Sequence, residues 1–294
     1  MLKKVNLNNA TGGRLALLTA ALIWGSSFII MKDTLDNIPV YQLLAIRFTL
    51  ASLLLGVIFR KRLMRAGRQI ISHGAVCGVL LLFAYASQTY GLMTTSPGTN
   101  AFLTAVYCVL VPFMAWGLMR KRPTPYNWVA AVMCIGGIGL ISLSGDLAIG
   151  WGEWLTLLSG LLYALHIMAL SRYGESDDPI ALTIVQFIVT AALAWVFTLL
   201  VEPGTAFPPL HVWPSLMYLT VLATCVTLVC QSVGQSLTPP SQSAILLSLE
   251  SVFAVFFSLL MGREALTFQL GAGFTLVFAS VIVSETQLSF LRRK

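Results

Sequence analysis

The sequence predicts an all-α integral membrane protein: ten transmembrane helices forming two inverted five-helix repeats around a central cavity. Three observations predict it: composition, the length of the apolar runs and an internal repeat. Of 294 residues, 57% are apolar and 10% charged, and the mean hydropathy is +0.84. A soluble chain is about 25% charged, so a water-soluble globule is excluded. Disulfide-rich, collagenous and disordered classes are excluded as well, because Gly and Pro are scattered and five Cys in this length is ordinary. Cys77, Cys108, Cys134, Cys225 and Cys230 all fall in apolar stretches without a C-x-x-C pair, so they read as small buried residues.

A helix needs about 20 apolar residues to cross ~30 Å of hydrocarbon. Cutting the chain at charge clusters and Pro/Gly turns yields spans at 15–32, 40–59, 72–93, 98–119, 126–144, 151–171, 179–201, 212–236, 241–261 and 267–287. The first follows Lys3, Lys4 and Arg14. No small-x-small cleavage site precedes Lys32 and Asp33, so it is kept as a helix rather than a removed signal. The joints Asp36-Asn37-Ile38-Pro39, Asp177-Asp178-Pro179, Pro203-Gly204 and Pro239-Pro240 support the cuts. Barrel strands would alternate apolar and polar over about 10 residues, whereas these runs are continuous and longer.

Charge sets the expected orientation. With both termini cytoplasmic, Lys3, Lys4, Arg14, Arg60, Lys61, Arg62, Arg65, Arg68, Arg120, Lys121, Arg122, Arg172, Arg292, Arg293 and Lys294 lie inside, 15 of 18 basic residues. Lys32 and Arg263 fall outside and Arg47 in the bilayer, as the positive-inside rule favours. The +7 net charge has the same origin. The basic runs sit in short loops between helices, so the partner they imply is the lipid bilayer and not nucleic acid.

Comparison of the halves, 1–145 and 146–294, reveals the repeat. An offset of 139 places Trp24 on Tyr163, Ser27 on His166 and Arg47 on Gln186. An offset of 143 aligns Gln88-Thr89-Tyr90-Gly91 with Gln231-Ser232-Val233-Gly234, and Thr95, Pro97 and Ala101 with Thr238, Pro240 and Ala244. Arg120 and Thr124 meet Arg263 and Thr267 in the same register. Five spans per half is an odd number, so the second half enters the membrane from the opposite side. Such inverted halves can exchange conformations, the basis of alternating access.

The stretches Leu22-Ile23-Trp24-Gly25-Ser26-Ser27-Phe28, Arg47-Phe48, Leu247-Ser248-Leu249-Glu250-Ser251-Val252-Phe253 and Gly262-Arg263-Glu264 resemble EamA-type members of the drug/metabolite transporter superfamily over essentially the whole chain. Two departures stand out: Ser251 replaces the proline that often follows the ninth-helix glutamate, and Arg120-Lys121 replaces a Gly-Glu pair closing the fourth helix. The resemblance implies export of amino acids, other metabolites or drugs across a bacterial inner membrane, with proton exchange as driving force.

Ionisable residues deep in a bilayer are costly and mark function or a buried pairing. Arg47, His166 and Glu250 qualify. Glu250 lies near the middle of the ninth span on a stripe with Ser243, Leu246, Ala254 and Phe257; its repeat partner Tyr107 shares a stripe with Asn100 and Thr104. Equivalent midplane positions of inverted repeats approach each other, which puts Tyr107 and Glu250 on facing walls of the cavity. Glu250 either exchanges protons or cations during transport or forms a permanent ion pair with Arg47. Arg47 either holds a substrate carboxylate or bridges backbone carbonyls between helices. His166 is a satisfied interior histidine or a proton relay. Gln88 and Gln231, Asn100 and Ser243, and Ser27 and His166 pair by symmetry, as cavity lining or as interhelical hydrogen bonds. Trp24, Tyr85, Tyr90 and Tyr163 offer aromatic faces for a flat substrate or a cation. Trp116, Trp128, Trp151, Trp195 and Trp213 sit near span ends as interfacial anchors. Gly271-Ala272-Gly273 and Gly136, Gly137 and Gly139 are small-residue packing sites.

No G-x-x-x-x-G-K-[ST] loop occurs, so a secondary carrier of a small molecule is expected, with protons as a coupling ion and without cofactor or metal. The absence of H-E-x-x-H, G-x-S-x-G and paired intramembrane aspartates argues against an enzyme; a facilitative, uncoupled carrier, a channel or a receptor is a further alternative. One buried carboxylate among aromatic rings allows an organic cation as substrate. Arg47 beside several amides allows an amino acid or similar zwitterion.

Overall fold

The computed structural model describes residues 7–119, 122–142, 149–263, 265 and 267–286. Lys3, Lys4, Arg120, Lys121, Glu264, Arg292, Arg293 and Lys294 lie outside the described residues, as do residues 143–148 between the fifth and sixth predicted spans. Among those described there is no strand. In chain order the helices are α1 (Leu7–Leu35), α2 (Val40–Ile58), the short α3 (Arg60–Leu63), α4 (Arg68–Thr94), α5 (Pro97–Thr104), α6 (Tyr107–Met119), α7 (Pro125–Ser142), α8 (Trp151–Gly174), α9 (Pro179–Val201), α10 (Trp213–Met217), α11 (Thr227–Leu237), α12 (Pro240–Leu260) and α13 (Phe268–Thr286). A π-helix, Tyr218–Val226, joins α10 to α11.

Eight of the resulting rods are long and apolar enough to cross a membrane, and shorter apolar helices run over Pro125–Leu140 and Phe268–Ser280. The polarity of the bundle is that of a membrane protein. Leu53, Val132, Ile135, Leu199 and Phe256 are exposed, while Arg47, Gln88, Asn100, His166, Gln186 and Glu250 are buried.

Two sequence-predicted spans are irregular. The span expected at 98–119 is broken into α5 and α6 at Ala105–Val106. The freed carbonyl of Ala105 is used again: Cys108 Sγ donates to it at 2.9 Å, and Cys108 N–H bonds to it at 3.1 Å. The span expected at 212–236 contains the π-helix. The ninth span, α12, is unbroken, consistent with Ser251 standing where a proline often does.

Helix starts follow local chemistry. Asp178 caps α9, accepting from Ile180 N at 2.9 Å and Ala181 N at 3.0 Å ahead of Pro179. Ser96 accepts from Thr99 N at 3.1 Å to start α5. By contrast α2 has no cap of its own. Glu202, just past α9, supplies one from a distance: its two carboxylate oxygens accept from Tyr41 N and Gln42 N, both at 2.9 Å.

The main packed pairs are α1 with α11 and α12, α4 with α8 and α9, α2 with α9, and α7 with α13. Glycines set the closest approaches. A Cβ on Gly234 would lie 2.6 Å from Leu17 and 3.0 Å from Gly13 O. A Cβ on Gly152 would lie 3.0 Å from Gly91 O, and Thr156 packs over Gly91. Under the offsets found in the sequence, Gly13, Leu17 and Gly234 correspond to Gly152, Thr156 and Gly91. The α1–α11 and α8–α4 contacts therefore use the same positions.

Candidate functional site

Where α1, α2, α4, α6, α8, α11 and α12 converge they enclose a cavity to which each of the seven helices contributes lining. Helical spacing places its lining. Trp24, Ser27, Phe28 and Met31 form one face of α1; Tyr85 and Gln88 come from α4, Tyr163 and Ile167 from α8, and Leu247 and Glu250 from α12. Arg47 of α2, Tyr107 of α6 and Gln231 of α11 complete it. Gly25 makes this possible. Its missing Cβ would sit 3.0 Å from both Ala254 N and Glu250 O, so α1 lies directly against α12 and brings Trp24 and Ser27 to the level of Glu250.

Glu250 and Tyr107 meet across the cavity, as expected of positions related by the repeat. Tyr107 Oη donates to Glu250 Oε1 at 3.2 Å. Glu250 is 6% exposed and Tyr107 3%. Beside them Tyr163 Oη donates to Gln88 Oε1 at 3.0 Å, and Gln88 Nε2 donates to Thr104 Oγ1 at 3.1 Å.

Arg47 and Glu250 form no ion pair among the described residues, so a permanent ion pair between α2 and α12 is not what holds either group. Arg47 Nε donates instead to Thr224 Oγ1 and Nη2 to Ala223 O at 2.8 Å, while Nη1 lies 3.6 Å from Met31 Sδ. Its guanidinium also rests over the Tyr85 ring at 4.9 Å. The acceptor comes from the π-helix. Thr227 N–H reaches back five residues to Leu222 O, so the change to α-helical spacing puts Ala223 O at the point where one carbonyl is passed over. That carbonyl also accepts Trp24 Nε1 at 3.0 Å. Of the two roles expected for Arg47, bridging a backbone carbonyl between helices is the one the geometry displays.

Four candidates lie away from the cavity wall, among them Tyr90, whose Oη donates to Glu202 Oε1 at 3.3 Å. Asn100, fully buried, donates to Thr156 Oγ1 at 2.8 Å and binds α5 to α8. Ser243 Oγ donates to Pro239 O, just before α12, at 3.1 Å. His166 Nε2 pairs with Gln186 Oε1 at 2.9 Å, joining α8 to α9. Phe28, Met31, Ile167 and Leu247, absent from the sequence-based set, each lie one helical turn from a member of it. That spacing was the available signal. Ala223 and Thr224 had none, because a π-helix leaves no mark in apolar sequence. Among the described residues no three His, Cys, Asp or Glu cluster to hold a metal.

The chain matches the profile of the EamA-like transporter family twice, over residues 11–143 and 150–286. It is 31% identical over 275 residues to an uncharacterized transporter of Archaeoglobus fulgidus, covering 92% of this chain and 85% of that one. It is 23% identical over 221 residues to the uncharacterized inner membrane transporter YedA of Escherichia coli K12, covering 72% of this chain and 71% of the relative. A solved crystal structure superposes with a TM-score of 0.74 over 97% of this chain and 99% of the other, at 16% identity, and so shares the fold. Multiple apolar helices and both matches make this a multi-pass membrane protein, and the chain belongs to the EamA-like transporter family.

Proposed function

We propose that this transporter is a secondary, proton-coupled exporter of small polar metabolites such as amino acids, working by alternating access in a cell inner membrane with both termini cytoplasmic. Residues 1–145 and 146–294 are its two inverted five-helix repeats, and α7 and α13, the fifth and tenth in chain order, complete the ten membrane helices beside the eight longer rods. At 18 and 19 residues they span about 27–28 Å, enough for a modestly thinned bilayer. The repeat is supported by the double family match, by the shared positions of the α1–α11 and α8–α4 contacts, and by Tyr107 meeting Glu250.

One observation carries the coupling: a carboxylate enclosed in the central cavity, held by a phenol and, among the described residues, paired with no cation. Such a group can take a proton on one side of the membrane and release it on the other, and substrate entry can displace that proton. Tyr107, its counterpart, carries no charge near neutral pH, so the two halves are electrically unequal where they meet. The test uses purified protein in proteoliposomes supplied with radiolabelled amino acids. Glu250→Gln is expected to abolish uphill transport driven by a proton gradient. A variant that still concentrates substrate with unchanged pH dependence would remove Glu250 from coupling.

The aromatic lining, Trp24, Tyr85 and Tyr163 around Glu250, also favours a second reading, an organic cation as substrate. Counterflow with a quaternary amine but with no amino acid would select it.

A further inference from the structure

Several polar groups of the cavity wall are engaged by the protein. Ser27 Oγ donates to Trp24 O at 2.8 Å, Trp24 Nε1 to Ala223 O, Tyr163 Oη to Gln88 Oε1, and Tyr107 Oη to Glu250 Oε1. Gln231 differs from these. Its side chain lines the cavity, is 3% exposed, and its enclosed Oε1 has no partner among the described residues. The contrast with Gln88 is informative because the two occupy equivalent repeat positions. Gln88 is engaged at both ends of its amide by Tyr163 and Thr104, so it ties helices together. A buried amide left without a partner weakens the empty protein, and an apolar side chain of similar volume would fill the same place without that cost. Folding therefore gives no reason for an amide at 231.

A ligand does. Glu250 presents a carboxylate to the same cavity, and Trp24, Tyr163 and Leu247 surround the space with flat and apolar surface. Building on the carrier reading above, we propose that the Gln231 amide and the Glu250 carboxylate together read the nitrogen of the substrate. The group recognised is a cationic nitrogen that still carries N–H, attached to a compact flat or apolar body. The carboxylate answers the charge, and the amide oxygen accepts the N–H that a quaternary nitrogen lacks. A free amine and the amino group of an amino acid share this chemistry.

Four probes separate the possibilities: phenethylamine, phenylalanine, phenethyltrimethylammonium and 3-phenylpropionate, titrated by calorimetry into the purified full-length chain. Phenethylamine or phenylalanine is expected to bind about tenfold or more tighter than the trimethylated analogue, the factor for one hydrogen bond to a charged donor. Binding of both means that the nitrogen alone is read; binding of phenylalanine alone means that its carboxylate is held too. Gln231→Leu and Gln231→Met are expected to weaken the N–H ligands about tenfold, to leave the trimethylated analogue within about twofold, and to melt no lower than the wild type. Equal binding of the quaternary analogue, retained discrimination in the variants, tightest binding of 3-phenylpropionate, no binding of either N–H ligand, or a lowered melting temperature in both variants would overturn the proposal. Counterflow of the radiolabelled N–H ligands keeps this separate from the carrier reading. Discriminating binding without exchange removes the carrier and leaves the nitrogen site, while exchange indifferent to Gln231 does the reverse.

Discussion

A guanidinium buried to 1% exposure is tolerable only if its donors are met, and Arg47 meets them on the π-helix rather than on a carboxylate. The planar fork reaches the hydroxyl and the carbonyl of adjacent residues, Thr224 and Ala223, which a single ammonium cannot match. Arg47→Lys should therefore lower thermal stability by about 1–3 kcal/mol while changing KM for transport by less than about twofold. A variant of normal melting temperature with a sharply raised KM would mean that the fork holds substrate. Glu250→Gln should be stable in its turn, since no buried cation is left unpaired. A loss near the ~3–5 kcal/mol of a broken buried pair would revive the Arg47 pairing. At this scale the sequence was partly legible. The burial of Arg47 and Glu250 accords with their place inside apolar runs, and the Tyr107–Glu250 contact joins positions that the offset of 143 aligns. Arg47's partners were not legible, because they depend on a register change within an apolar helix.

Helices as units were more legible than their joints. Pro97, Pro125, Pro179 and Pro240 each open a helix, since proline fits the first turn, where its missing N–H has no bond to lose. The break at Ala105–Val106 and the π-helix left no such mark, although each lies beside the cavity. Close packing was also hidden, because a glycine in a helix reads the same whether or not another backbone lies against it. Gly25 is the case that matters. With Ala254 N and Glu250 O already 3.0 Å from its vacant Cβ position, Gly25→Ala should push α1 off α12. The expected cost is about 1–3 kcal/mol, seen as a lower melting temperature with reduced counterflow. Gly12, with open space around it, is the control that should tolerate alanine. The cap on α2 is a second long-range device that the sequence concealed, since Glu202 is far from Tyr41 and Gln42 in the chain. Glu202→Gln replaces one accepting oxygen by a donor facing an N–H, and should cost about 1–2 kcal/mol.

For the molecule as a whole, alternating access requires that ties between the halves at one end of the bundle open while those at the other hold. Both kinds are closed here. At the end of the bundle where α1 and α9 finish, Glu202 caps α2 and Arg263 pairs with Asp33 at 2.8 Å. At the opposite end His73 Nδ1 meets Asp177 Oδ2 at 2.6 Å, with the His73 ring stacked on Tyr173 at 3.9 Å, and Arg62 pairs with Asp178 at 2.9 Å. The pairs Arg263–Asp33 and Arg62–Asp178 are about half exposed and contribute little. Asp177, at 4% exposure, and Glu202, bonded to two backbone amides, are the ties whose loss should shift the balance. Removing either weakens one closed end, so the population moves toward the state open at that end. Ser27 lines the cavity between them. A single cysteine there, in a background free of the five native ones, can be labelled with an impermeant thiol reagent from either side of oriented vesicles. Asp177→Asn should speed labelling from the cytoplasmic side, and Glu202→Gln from the opposite side, each several-fold. If both variants open the cavity to the same side, the two ties do not belong to opposite gates, and an alternating mechanism built on these halves fails.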